Sequence, residues 1–308
     1  MQTVRYKKGI KAGGGSRVVA LGFFDGIHKG HRTMLSFAKF CARRLSLPFS
    51  VFTFESEGFC YKGAKLYSTE ERLRMLEGIG ADEVFLADFG SLADMSPEDF
   101  VSEVLIGSLS ASLAVSGEDF RFGRGGSGDT ALLASLMREA GRDAYTCPLI
   151  TEGGEKISQS SVRRLLSEGR CEDAERLLGE PYFILGEVRH GRGEGRGLGI
   201  PTVNTELADK ALLRRGVYLS TLTLDGKRYA ALTNVGTCPS FGERELHAET
   251  FILGYSGDLY GEKIKIYLLS YLREETEFSC AAELLSQIEK DRVRAMELME
   301  ERYGRKLD

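Results

Sequence analysis

The sequence predicts an α/β domain on a parallel sheet, followed by a small antiparallel β domain, a barrel or a sandwich, closed by a helix. Three observations predict it. From Arg17 to Asp119, short apolar runs rich in β-formers alternate with longer stretches of helical periodicity, the pattern of βα units. Beyond residue 180 the texture changes to closely spaced alternating strands. A last segment sets Leu284, Ile288, Ala295 and Met299 on one helical face. A chain of 308 residues is long enough for two cores, and the boundary is placed near residue 180, giving domains 1–180 and 181–308.

Each element has its own signal. "RVVALGFF" reads as a strand, and the segment after it repeats Leu35, Ala38, Ala42 and Leu45 at helical spacing. "FSVFTF", "EVFLADF" and "ASLAVSG" are further strands, separated by the helix-like "STEERLRMLEGI" and "SPEDFVSEVLIGSL". Ser96 before Pro97, Glu98 and Asp99 is a helix start: an N-cap hydroxyl, a proline whose missing N–H costs nothing, and acids at the positive dipole end. "ISQSSVRRLLSEGRCEDAERLLGEPY" gives two short helices broken at Gly169 and stopped at Gly179 and Pro181. In the second domain the strands are "YFILGEVRHG", "GVYLSTLTL", "KRYAALTNVG", "HAETFILGY" and "KIKIYLLSYL", with Asp225-Gly226 as a tight hairpin turn.

Composition excludes several classes. A formal charge of -4 argues against a protein devoted to nucleic-acid backbones, which need clustered Lys and Arg. No apolar run approaches the ~18 residues of a membrane helix, and the apolar stretch after the basic N-terminus ends at Asp25 without a small-residue cleavage site. The six cysteines are scattered with no CxxC pair, which points to reduced thiols and a cytoplasmic protein.

"GFFDGIHKGH" (22–31) holds two of the four histidines, His28 and His31, three positions apart. Metal ligation needs partners beyond Asp25, and the sequence supplies no recognisable third element. A glycine turn feeding a helix N-terminus after the first strand of a parallel sheet instead presents N–H groups and a positive dipole end to a phosphate chain. Imidazoles there donate to phosphate oxygens as charge builds, which suits nucleotidyl transfer.

These residues resemble a family. The G-x-F-D-G-x-H-x-G-H stretch is similar to the HxGH signature of nucleotidylyltransferases, and its flanks resemble the adenylyltransferase module of bacterial bifunctional riboflavin kinase/FAD synthetases. "SGEDFRFGRGGSGD" (116–129) and "ISQSSVR" (157–163) are similar to two further family motifs in the family's order. The resemblance implies a Rossmann-like nucleotidylyltransferase domain. In it His28, His31 and Arg163 would be catalytic, and Gly22, Phe24, Asp25, Gly26, Gly30, Ser158 and Ser160 would bind ATP. One departure stands out: the family's T-F-x-P-x-P segment reads Thr53-Phe54-Glu55-Ser56-Glu57 here, without either proline.

"GEVRHGRGEGRGLGIPTVN" (186–204) carries six glycines, a density that lets backbone approach a polyphosphate closely or simply makes a flexible loop. Thr202 and Asn204 put a hydroxyl and a carboxamide on one side of an extended segment, where both can face a magnesium-nucleotide. The stretch resembles the riboflavin kinase pattern ending in P-T-A-N, with Val203 for Ala. That implies a small β-barrel kinase domain with Gly191, Gly195, Thr202 and Asn204 as ATP ligands, Thr202 and Asn204 also holding Mg²⁺. Counting back from "GDLYG" places Glu249 at the family's catalytic glutamate, the base for the riboflavin 5′-hydroxyl, and Arg273 is expected to hold the flavin product. His190 and His247 receive no role.

The expected function is therefore bifunctional: ATP-dependent phosphorylation of riboflavin to FMN, then adenylylation of FMN to FAD with release of pyrophosphate. Mg²⁺ is the expected cofactor, and riboflavin, FMN and ATP are the ligands. Two rival readings stand beside it: a riboflavin kinase whose first domain is impaired or re-purposed, motivated by "TFESE", and a non-catalytic flavin or nucleotide sensor.

Overall fold

The computed structural model describes residues 1–13, 15–56, 64–189, 200–207, 213–237 and 246–304. The chain divides into two compact units, Met1–Gln159 and Ser160–Asp308.

The first unit is built on six parallel strands: β1 (Gln2–Tyr6), β2 (Arg17–Leu21), β3 (Phe49–Phe54), β4 (Glu83–Ala87), β5 (Ala111–Gly117) and β6 (Asp143–Cys147). Their order is β1-β4-β3-β2-β5-β6. Helices cover both faces of such a sheet, so its central strands read as unbroken apolar runs; Val18, Val19 and Ala20 are wholly buried. Strand order reverses at β2, which is flanked by β3 and β5. The carboxyl end of β2 is thus the switch point at which such sheets open a ligand crevice.

The helices of this unit begin at side-chain caps, Ser96 among them as its sequence predicts. α1 (Lys29–Leu45) follows β2 directly, and Met34, Leu35, Ala38 and Ala42 face the sheet. Leu45 does not join them and is 53% exposed, because it ends the helix beside Ser46, which turns the chain through left-handed backbone. α2 (Thr69–Ile79) starts with a reciprocal capping box between Ser68 and Glu71. α3 (Pro97–Asp99) is capped by Ser96 and widens into a π-helical stretch, Phe100–Ser108, where Leu109 N–H donates to Val104 O at 2.9 Å. α4 (Thr130–Glu139) precedes β6, and a small hairpin follows, β7 (Thr151–Glu152) with β8 (Glu155–Lys156).

The second unit begins within α5 (Gln159–Ser167), which α6 (Cys171–Leu178) follows. Six antiparallel strands follow: β9 (Phe183–Glu187), β10 (Thr202–Glu206), β11 (Gly216–Leu224), β12 (Lys227–Thr237), β13 (Leu246–Ile252) and β14 (Lys263–Arg273), in the order β10-β13-β12-β11-β14-β9. Arg189 N–H donates to Asn204 O at 3.0 Å and brings the two edges together, so the sheet curls into a nearly closed barrel rather than a sandwich. Asp225 and Gly226 both have positive φ, 50° and 79°, the tight hairpin turn their sequence predicts. Ser220, Thr233 and Thr250 line up hydroxyls at 2.7 and 2.9 Å in a buried row. The opposite face of the same strands, Val217, Leu219 and Leu232, packs against Ala295 and Met299 of the closing helix α7 (Ala281–Tyr303).

Candidate active sites

At the tip of β2 the chain turns through Gly22 to His28 and enters α1. Gly22 N–H still donates to Phe52 O, so the turn starts on the sheet itself. Phe24 is wholly buried with φ of 55°, an unusual conformation for a bulky residue, and its ring meets His31 edge-on at 5.2 Å. Asp25 is buried, and its carboxylate accepts from the N–H groups of Leu66 and Tyr67 at 3.2 to 3.4 Å. A Cβ on Gly26 would lie 2.3 Å from the Leu66 Cδ1 methyl, so any larger residue there would have to displace that buried side chain.

His28 caps α1: its Nδ1 accepts from His31 N–H at 3.3 Å. An accepting Nδ1 leaves the proton on Nε2, the other end of the ring. The two imidazoles stack, centroids 3.8 Å apart and planes 13° from parallel. A Cβ on Gly30 would press on the His28 ring at 3.2 Å, so glycine there lets the imidazole fold over the helix end. Burial lowers the His28 pKa to about 4. Burial first, and the neighbouring His28 second, hold His31 well below the ordinary range. The pair is neutral at pH 7: two hydrogen-bonding rings over the N–H groups and positive dipole end of a 17-residue helix. Lys29 pairs with Glu152 at 3.2 Å, and Lys156 with Asp119 at 2.8 Å, ringing the site with charge.

Of the "ISQSSVR" residues, Ser158 precedes α5, Ser160 is exposed in its first turn and Arg163 is half-buried one turn on. In "DFRFG", Phe122 joins the core and stacks on Phe120 at 5.7 Å.

In the second unit the register of the barrel brings distant residues into one row. Asn204 of β10 pairs with Glu249 of β13, Glu249 with Asn234 of β12, Asn234 with Val217 of β11, and Val217 with Arg273 of β14. In-register neighbours share a face, here the one that α7 covers. Between that face and α7 lies a cavity of about 360 Å³, lined among others by Thr202, Asn234, Glu249, Phe251 and Arg273. Thr202 and Asn204 lie on the same face of β10, and Asn204 is buried. Arg273 is held by Asp291 of α7 through bonds of 2.8 to 3.0 Å, with Gln287 bonding the same carboxylate.

Asp291 has no motif that marks it in the sequence, and Asn234, which opens the kinase-like stretch "NVGTCPSF" (234–241), receives no site role there. Asn234 enters by register and also donates to Glu275 at 3.2 Å. Asp291 enters by the packing of α7. Gly191, Gly195 and His190 lie outside the described residues. His247 is buried on β13, opposite Glu206 and Gly236. Among the described residues no group of three or more His, Cys, Asp or Glu side chains could hold a metal. Thr202 and Asn204 do offer hard oxygen ligands beside the Glu249 carboxylate, which fits an ion that takes the rest of its coordination from phosphates and water.

The FAD synthetase family matches residues 12–161 and the riboflavin kinase family residues 178–299. A bifunctional riboflavin kinase/FMN adenylyltransferase of Escherichia coli K12 is 34% identical, over 91% of this chain and 92% of its own. A protein of the same description from Bacillus subtilis is 33% identical, over 93% and 94%. Among solved structures, a Streptococcus pneumoniae chain described as a macrolide-efflux protein superposes with a TM-score of 0.84 at 29% identity, covering 96% of this chain and 99% of that one. Among the described residues here, no helix is long and apolar enough to cross a membrane.

Proposed function

Since the chain belongs to the bifunctional riboflavin kinase/FMN adenylyltransferase family, and so makes FMN from riboflavin and FAD from FMN, we propose which side chains carry each reaction. The observation that carries this assignment is the cavity in which Thr202, Glu249 and Arg273, from three separate strands, meet at one wall.

In the kinase reaction Glu249 accepts the proton of the riboflavin 5′-hydroxyl as that oxygen attacks the γ-phosphorus of ATP and ADP departs. Thr202 and Asn204 hold the nucleotide and its ion, and Gly191 and Gly195 are assigned to ATP binding by their motif alone. Arg273, fixed by Asp291, holds the flavin. In the adenylyl transfer an oxygen of the FMN phosphate attacks the α-phosphorus of a second ATP and pyrophosphate leaves. His28 Nε2–H and His31 bond the phosphate oxygens, and the α1 N-terminus offsets their charge. Gly22, Phe24, Asp25, Gly26 and Gly30 shape the ATP-binding turn, and Ser158, Ser160 and Arg163 contact the triphosphate by virtue of their motif. Mg²⁺ is the divalent ion of both steps, offsetting polyphosphate charge when bound.

We also take residue 180 as the boundary between the two sets of motifs, and the cytoplasm as the location on the scattered cysteines with no CxxC pair.

The test follows riboflavin, FMN and FAD by chromatography with purified protein, ATP and Mg²⁺. Replacing His28 and His31 by Ala is expected to cut FAD formation by about a hundredfold or more and to spare FMN formation. Glu249→Ala is expected to do the reverse when FMN is supplied. Loss of both activities in either variant overturns the assignment.

A further inference from the structure

Two arginines of the first unit are fully buried, Arg17 at 0% and Arg72 at 1% exposure. They sit at opposite ends of the parallel sheet. Arg17 opens β2, pairs with Glu83 at 3.1 Å and lies over Phe85, at the end of the sheet away from the crevice. Arg72 works at the crevice end. From α2 its Nη1 donates to Phe23 O at 2.7 Å and to Thr53 Oγ1 at 3.2 Å, while Nη2 donates to Phe54 O at 2.6 Å and Ser56 Oγ at 2.9 Å. The guanidinium also lies 5.0 Å over the Phe23 ring. Thr53 adds its own bond to Phe23 O at 2.8 Å.

One planar cation thus ties the tip of β2 to the tip of β3. The tie on β2 falls at Phe23, just before the positive-φ Phe24 and five residues before His28. Backbone held in that region persists only where its surroundings over-determine it. Asp25 holds the other side of the turn through Leu66 and Tyr67, the residues that lead into α2. The turn that carries His28 is therefore clamped from both sides by one segment, residues 66 to 72.

The tie on β3 falls in the "TFESE" stretch, where the family pattern has proline at the place of Ser56. A proline fixes φ and has no N–H. Ser56 uses both groups a proline lacks: its N–H donates to Thr69 Oγ1 at 2.9 Å, and its hydroxyl accepts from Arg72.

The geometry points to Arg72 as a positioning residue for adenylyl transfer: it fixes the turn from which His28 and His31 reach the phosphates. This rests on the assignment of those histidines to FAD formation. A small displacement of a catalytic group costs roughly a hundredfold in rate without a matching loss of binding. Lysine can offer the charge, but not the planar fork that reaches both strand tips at once.

The experiment uses the full chain and measures both reactions. Arg72→Met is expected to lower kcat for FAD formation by about ten- to a hundredfold, to leave KM for ATP and FMN nearly unchanged, and to leave riboflavin phosphorylation unchanged. Arg72→Lys is expected to recover part of that kcat. A folded Arg72→Met with wild-type kcat overturns the inference, as does a change confined to thermal stability and KM. Should Arg72→Met fail to fold, Arg72→Lys decides: a reduced kcat at unchanged KM supports the inference, and a wild-type kcat overturns it. His28→Ala separates the two levels. If it leaves FAD formation intact, the histidine assignment falls and this inference with it; if it abolishes FAD formation while Arg72→Met stays fully active, only this inference falls.

Discussion

His28 links the first unit's chemistry to its stability. The folded pKa of about 4 lies below the ordinary value of 6.5, so between those two pH values the unfolded chain binds more protons at this site than the folded one. The contribution is therefore fully present above pH 6.5 and is lost as pH falls toward 4. The shift corresponds to on the order of 3 kcal/mol. Stability of the first unit to urea is expected to weaken as pH falls through that window, with His31, held well below its ordinary range by burial, acting in the same direction. His28→Asn keeps a capping acceptor that does not titrate, and it is expected to reduce the slope, leaving the part that His31 contributes; an unchanged slope would place the titration elsewhere. In the second unit the equivalent lever is Asp291, whose side chain is 7% exposed and fixes the Arg273 guanidinium at the cavity wall. Asp291→Asn keeps the shape and removes the charge that orients Arg273. Steady-state kinetics are expected to show KM for riboflavin raised by about tenfold, the equivalent of ~1.4 kcal/mol, with kcat changed little. A fall in kcat at constant KM would contradict a binding role for Arg273.

Elements explain why some of this was legible in the sequence and some was not. Caps and turns are local, so Ser96, the Asp225-Gly226 turn and the α1 stripe of Leu35, Ala38 and Ala42 could be read from a few neighbours. The two histidines belong to the same class, because the glycine turn, the strand before it and the helix after it are contiguous. The row from Asn204 through Glu249 and Asn234 to Arg273 depends on the register of five strands, and no single segment encodes that. Resemblance to a family supplied Glu249 and Arg273 and marked the stretch that Asn234 opens, but the place of Asn234 in the row needed the barrel, and Asp291 needed its covering helix. β1 escaped for another reason: only Tyr6 of its five residues is buried, so it lacks an apolar pattern and is held by parallel pairing with β4. The π-helical widening after α3 likewise has no local signal beyond ordinary apolar spacing. The capping box of α2 shows what a legible local feature can do, since that helix carries Arg72. Ser68→Ala is expected to cost about 1 kcal/mol of first-unit stability, measured by urea unfolding, with riboflavin phosphorylation unchanged. A stability loss below a few tenths of a kcal/mol would mean that tertiary contacts alone hold the helix start.

At the scale of the whole molecule the open question is where one catalytic module stops. Composition places the change of texture near residue 180, whereas the compact units divide between Gln159 and Ser160. The difference is α5 and α6. α6 buries Cys171, Ala174 and Leu178 within the second unit, and burial drives the Cys171 thiol up to about 12. Glu172 bonds Ser270 of β14, and Glu175 pairs with Arg302 of α7. The barrel therefore uses α6 as part of its own coat, although the riboflavin kinase family match begins only at residue 178. A fragment of residues 181–308 would expose the surface that those three apolar side chains cover and leave Arg302 without Glu175. Truncating a single buried leucine such as Leu178 costs ~2 to 5 kcal/mol, so removing the helix is a large loss for a unit of this size. Both fragments retain Thr202, Asn204, Glu249 and Arg273, so both keep the proposed kinase site. A fragment of residues 160–308 is expected to phosphorylate riboflavin and to unfold at clearly higher urea than 181–308, which is expected to lose activity in step with its lower midpoint. Equal midpoints would show that α6 is dispensable to the barrel and that the composition boundary is also the folding boundary.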